Sequence, residues 1–138
     1  MKILAPVRYP LTENSRTTIE CALELKENEE AKEDTGEADL IVLHVDLFQD
    51  GGDVSREDLR REVEREFSVV DVAYAVREGF IVEEAILDEA ANQGVDVIVV
   101  GKSRSGKLRR VLRRLIQSDP DIEAFLRENL DVRLEVAD

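Results

Sequence analysis

The chain has 138 residues, 19 Lys+Arg against 32 Asp+Glu for a net charge of -13, one His and one Cys. With 43% hydrophobic and 37% charged residues, it has the length and apolar content for one domain with a real core, and it is not disordered throughout. The single Cys21 excludes a disulfide framework, and one His with one Cys excludes His/Cys zinc sites and copper or haem pockets that need several such ligands.

No apolar run approaches the roughly 18 to 20 residues that span a bilayer, and Met1-Lys2-Ile3-Leu4-Ala5-Pro6 is too short for a signal h-region, so a cytoplasmic location is expected. So acidic a surface repels nucleic acid and anionic membranes, and binding either would require a locally inverted patch. The 14 Arg against 5 Lys and the excess of carboxylates fit a halophilic adaptation, in which acids keep the surface hydrated while salt screens their repulsion.

In chain order, Lys2 to Arg8 reads as a first strand ended by Tyr9-Pro10. Asn14 or Ser15 caps a helix in which Ile19, Ala22, Leu23 and Lys26 recur at helical spacing. Glu27 to Glu37 is a charged connection. Ala38 to Phe48 is too apolar in its centre for a half-exposed strand and belongs inside the sheet, until Gly51-Gly52 breaks it. Ser55 with Asp58 reads as a capping box opening a helix with Leu59, Val63 and Phe67 on one face. Val69 to Val76 is a third strand, and Ile81 to Gln93 a third helix with Ala85, Ile86 and Ala90 inward and Gly94 at its end.

Val95 to Val100 is the clearest strand, running into Gly101-Lys102-Ser103-Arg104-Ser105-Gly106. The helix that follows has Leu108, Val111, Leu112, Leu115 and Ile116 along one stripe and Arg109, Arg110, Arg113 and Arg114 opposite. Asp119-Pro120 restarts a helix carrying Ile122, Phe125 and Leu126 inward, and Val132 to Val136 is an edge strand. The sum is a single doubly wound α/β domain: a parallel sheet with helices on both faces. Ligands of such sheets bind beyond the carboxyl ends of the strands, where strand order reverses, which directs attention to Arg8-Tyr9-Pro10 and to Gly101 to Gly106.

Residues 102 to 114 contain seven basic side chains (Lys102, Arg104, Lys107, Arg109, Arg110, Arg113, Arg114) and no acid. This is the inverted patch, and it lies at a loop-to-helix junction where free N–H groups and the helix dipole favour an anion. A phosphate-bearing partner is one reading; a solvated helix face paired with neighbouring carboxylates is the other. Gly101-x4-Gly106-Lys107 approaches a P-loop, but Leu108 stands where Mg²⁺ needs Ser or Thr and only one strand remains to supply a Walker B acid, so a P-loop phosphohydrolase is the remotest reading. Gly101-Lys102-Ser103-Arg104-Ser105 lacks the last Gly of a nucleophile elbow, and no G-x-G-x-x-G follows a strand. His44, within a strand, reads as a buried, hydrogen-bonded imidazole rather than a general base. Cys21 reads as a core residue, and Asp50-Gly51-Gly52-Asp53 as a turn.

In order and spacing, Lys2-Ile3-Leu4-Ala5-Pro6-Val7, Leu43-His44-Val45, Glu78-Gly79 with Glu83-Glu84-Ala85-Ile86, and Val95 to Gly101 resemble the universal stress protein family over nearly the whole chain. The resemblance implies strand order 3-2-1-4-5, dimers paired through the last strand, and in one branch ATP held across the first and fourth strand tips. That branch has an Asp after the first strand and G-x2-G-x9-G-[ST] after the fourth. Here Arg8 stands at the Asp, Arg104 at the second Gly and Arg114-Leu115 at the Gly-Ser pair, while Gly101, Val45 and Val100 match. The chain is therefore similar to the branch without the ATP motif: a non-catalytic, dimeric stress or regulatory protein with Arg8, Arg104 and Arg114 filling the old pocket.

The alternative is a regulatory switch in which those arginines collect ATP, AMP or another phosphate-bearing ligand. The candidate site, intact or vestigial, is Val7, Arg8, Val45, Val100, Gly101, Ser103, Arg104, Ser105, Gly106, Lys107 and Arg114. Neither reading has catalytic residues or a metal. A homodimer through Val132, Leu134 and Val136 and an unidentified protein partner are the expected contacts.

Overall fold

The computed structural model describes residues 1–32, 37–69, 71–118 and 133–137, with backbone alone at residue 103 and over 115–118. The expected helix from Asp119-Pro120 with Ile122, Phe125 and Leu126, the inward Leu115 and Ile116, and Val132 of the edge strand lie outside what is described.

Continuous apolar runs form strands because both faces of a parallel sheet are covered by crossover helices. The order is β1 (Lys2–Val7), α1 (Glu13–Glu30), β2 (Asp39–Leu47), a 3-10 turn (Phe48–Asp50), α2 (Arg56–Phe67), β3 (Val72–Gly79), α3 (Val82–Gln93), β4 (Val97–Gly101), α4 (Lys102–Ser118) and β5 (Arg133–Ala137). All four pairings are parallel, in the order β3-β2-β1-β4-β5, as expected. Because successive side chains in a strand point to opposite faces, β1 divides its residues between two cores. Ile3, Ala5 and Val7 join Leu40, Val42, Val97 and Val99 beneath Ile19 and Ala22 of α1 and Leu59 and Val63 of α2. On the other face Leu4, Ile41, Leu43, Val45, Ile98 and Val100 meet Ala85, Ile86 and Ala90 of α3 and Leu108 of α4.

Several boundaries differ from the sequence expectation, each for a local reason. The α1 cap is Thr12, not Asn14 or Ser15: its backbone is extended and its hydroxyl accepts the Ser15 N–H at 3.1 Å. The helix also continues to Glu30 through residues expected in a connection, supported by a Lys26–Glu30 pair one turn apart. β3 begins at Val72 rather than Val69, because Ser68 (φ 50) and Asp71 (φ 60) turn the chain in the left-handed region; its pairing with β2 from Leu40↔Val72 to Leu47↔Gly79 then carries it three residues past Val76. At α2 the Ser55 hydroxyl accepts the Asp58 N–H at 3.0 Å while the Asp58 carboxylate accepts the Ser55 N–H at 3.2 Å, the full capping box. Gly94 closes α3 at φ 64, where a Cβ is disfavoured.

Ser55→Ala should cost about 1 kcal/mol by loss of the cap, whereas Leu59→Ala, emptying a fully buried position one turn later, should cost about 2–5 kcal/mol. Urea unfolding of the two variants checks the ranking, and equal losses would contradict it.

Candidate functional site

Strand order reverses between β1 and β4, whose crossovers leave the sheet on opposite sides and so open a crevice at their carboxyl ends. A cavity of about 640 Å³ lies there, lined by Val7, Arg8, Tyr9, Thr12 and Ser15 from β1 and the start of α1, by His44 to Leu47, Asp50 and Gly52 from the β2 side, and by Gly101, Arg104 and Lys107 from β4 and α4.

The β1–α1 turn is held by side chains substituting for a ladder. The Ser15 hydroxyl accepts the Arg8 N–H at 2.9 Å and lies 3.0 Å from the Thr12 hydroxyl, to which its own proton is free to point. One residue on, the Tyr9 N–H donates to His44 Nδ1 at 3.2 Å. A backbone N–H can only donate, so Nδ1 is an acceptor and the imidazole proton sits on Nε2, which faces Asp46 Oδ1 at 4.0 Å. Nδ1 also lies 3.4 Å from the Val7 carbonyl. Burial lowers the His44 pKa below its ordinary 6.5, against the opposing pull of the Val7 carbonyl and the Asp46 carboxylate. His44 is thus the buried, hydrogen-bonded imidazole expected from the sequence, and it also lines the cavity.

Asp46, 6% exposed, uses Oδ2 to accept the Val54 N–H at 3.1 Å, tying the loop after β2 over the strand tip. That loop passes so close that a Cβ at Gly52 would collide with Asp46 Oδ1, which accounts for glycine there.

On the opposite wall α4 starts at Lys102, directly after Gly101, so the expected Gly101-to-Gly106 loop is helical from Lys102 onward and does not wrap as a P-loop. The Ser105 hydroxyl donates to the Lys102 carbonyl at 2.8 Å inside the first turn and is buried. Leu108, fully buried one turn later, anchors the helix to the sheet and overrides the weak helix propensity of Ser103, Ser105 and Gly106. Arg104 turns to Glu83 of α3, Nη1 to Oε1 at 3.3 Å. Burial lowers its pKa, Glu83 opposes that, and the neighbouring Arg8 cation adds to it; a guanidinium remains charged throughout.

Of the sequence candidates, Val7, Arg8, Val45, Gly101, Arg104 and Lys107 line the cavity together. Val100 is buried in the α3/α4 core, Ser105 is turned into its own helix, and Gly106 is exposed on α4. Arg114 is exposed about three turns along α4 and does not line the cavity. The Ser103 side chain lies outside the described residues. The arginines do not occupy the cavity: with Arg104 drawn to Glu83 and Arg8 exposed, they border open space. Sequence reading missed Asp46, Gly52 and the Thr12–Ser15 pair. The usable signal was the β2 tip, since His44 is in register with Val7.

Among the described residues, no group of three His, Cys, Asp or Glu is arranged to hold a metal, and no helix is long and apolar enough to cross a membrane. Two predictions follow from this geometry. Because the unfolded chain protonates His44 more readily than the folded one, this group's contribution to stability is whole above pH 6.5 and is lost as pH falls toward the lower folded value. An NMR titration of this sole histidine should have its midpoint below 6.5, with the proton on Nε2 in the neutral form. Gly52→Ala should destabilise by about 1–3 kcal/mol, since the buried Asp46 carboxylate must move; an unchanged Tm would contradict the close approach.

No family model matches the chain, and no curated protein matches it. Among solved structures it is similar to a protein from the universal stress protein family from Burkholderia pseudomallei, at 20% identity and TM-score 0.57, over 81% of this chain and 89% of that one. It is likewise similar to the hypothetical protein MJ0577, at 16% identity and TM-score 0.53, over 99% and 94% of the two chains. With its parallel sheet in the order 3-2-1-4-5, the chain has the fold of the universal stress protein family structures.

Proposed function

We propose that the chain is a non-catalytic regulatory domain of the universal stress protein type that binds a small phosphate-bearing ligand, such as ATP or AMP, in the cavity between β1 and β4. The observation that carries this reading is electrostatic. In a chain with 32 acids and 19 bases, Arg8 and Lys107 have no ion pair among the described residues, although both border the cavity beside Arg104. Three cations held together repel one another, and an anion between them removes that cost. A Cβ built on Gly101 meets nothing within 4 Å, so the backbone at the tip of β4 is open to a ligand. The first amides of α4 add donors on the same side.

Arg8 and Arg104 differ from the Asp and Gly of the ATP-binding branch that the sequence resembles, so the anion is held by guanidinium forks rather than by a glycine-lined backbone cradle. The non-catalytic part of the reading is supported by the engagement of a cavity-lining hydroxyl: Ser15 accepts from Arg8 and lies against Thr12. Assembly as a homodimer through the outer edge of β5 belongs to the same reading, since β5 ends the sheet. Leu134 would contribute little to that contact, because it packs toward α3 and α4 beside Leu87, Leu108 and Leu112.

Calorimetric titration with ATP, ADP, AMP and inorganic phosphate tests the ligand. At least one should bind, weaken with added salt, and lose about tenfold or more in affinity in Arg104→Ala/Lys107→Ala, while Arg113→Ala, exposed on the side of α4 opposite Arg104, leaves it unchanged. Absence of heat with all four would overturn ligand binding and return the arginines to a vestigial role.

A further inference from the structure

Among the described residues, three large apolar side chains are exposed: Phe48 at 50%, Phe80 at 70% and Ile81 at 43%. Phe48 and Phe80 are 32 residues apart in sequence and adjacent in space, because β2 and β3 pair to their ends at Leu47↔Gly79 and deliver the next residues side by side, with Ile81 following Phe80 in the chain. The Phe48 and Phe80 rings lie 4.7 Å apart between centroids, tilted by 46°, a spacing at which aromatic pairs attract. Gln49 Nε2 donates to the Phe80 carbonyl at 2.9 Å and ties the two loops together. The chain has only four Phe and no Trp, so two of its four Phe rings stand in water on a braced platform. Covering them removes apolar surface from water, which favours association.

The charge around the platform selects what can cover it. Asp50 follows Phe48 by two residues, Glu78 precedes Phe80 by two, Glu84 lies in the first turn of α3 after Ile81, and Asp53 lies in the loop beyond Asp50. None of the four has an ion pair among the described residues. These neighbouring acids repel anionic lipid, nucleic acid and a second copy of this chain, whose net charge is -13. They favour an apolar anchor flanked by cations.

We infer that the Phe48–Phe80–Ile81 platform is a docking site for a segment of a partner protein that presents an apolar side chain flanked by Lys or Arg. The platform adjoins the cavity mouth, since Leu47, Asp50 and Val82 line the cavity and flank Phe48 and Ile81 in sequence. A docked segment would therefore sit beside any ligand held there.

The test is selection of a displayed library of random peptides against the whole protein, followed by affinity measurement on Phe48→Ser/Phe80→Ser. Both positions are exposed, so the variant should fold, which circular dichroism checks. Enriched peptides should carry Leu, Phe or Trp within a Lys/Arg-containing stretch and bind the variant at least about tenfold more weakly, as expected for loss of an aromatic hot spot. In Asp50→Asn/Glu78→Gln the same peptides should bind more weakly and with less salt dependence. Peptides without that pattern, or peptides that bind the variant equally well, would overturn the inference. So would flotation of the wild type, but not the variant, with phosphatidylcholine vesicles, which would mark a membrane contact. A dimer that the variant disperses in sedimentation would overturn it too, marking a self-interface.

Discussion

Everything in this molecule depends on the central position of β1. It pairs with β2 on one side and β4 on the other, and its alternate residues supply both cores. A strand covered on both faces can only be apolar, so its polar work is displaced to its ends. At its carboxyl end the neighbouring crossovers diverge, and the backbone there lacks the ladder partners available inside the sheet. Ser15 and His44 supply the missing partners to the N–H groups of Arg8 and Tyr9. The cavity is thus a consequence of strand order, and its floor is held by side chains that repair a chain leaving the sheet.

The electrostatics follow from the same topology. The chain is strongly acidic, yet its bases are concentrated on the helix that begins where β4 ends. Most of them, including Arg109, Arg110, Arg113 and Arg114, point to solvent, because the opposite stripe with Leu108, Val111 and Leu112 must face the sheet. Only Arg104 and Lys107, in the first two turns, lie near enough to the crevice to meet Arg8 from β1. Glu83 neutralises one of the three. The result is a cavity with cations at the α4 side and the Asp46 and Asp50 carboxylates at the β2 side, beside the exposed Phe48–Phe80 pair.

The elements were legible in the sequence where a single physical signal dominated. Continuous apolar runs marked β1, β2 and β4, the Ser55/Asp58 box opened α2, and Gly94 closed α3. Errors arose where tertiary pairing overrode local preference. Pairing with β2 shifted β3 toward the carboxyl end, and docking of Leu108 turned Lys102 to Gly106 from a presumed loop into the start of α4. The basic run was visible as composition, but a helix divides such a run among its faces every few residues. No linear pattern shows that Arg104 reaches a cavity and Arg114 does not.

The sequence by itself determined the fold class, the strand count and the side of each element that is buried, because alternation and helical period are local consequences of backbone geometry. Tertiary structure alone decided which residues share the cavity: that His44 accepts from Tyr9, that Asp46 anchors the loop at Val54, that Arg104 turns to Glu83 and that Phe48 meets Phe80. Each of these contacts joins residues at least eight positions apart. They come together only when the parallel register brings the strand ends to one edge, and nothing within a short stretch of chain encodes that register.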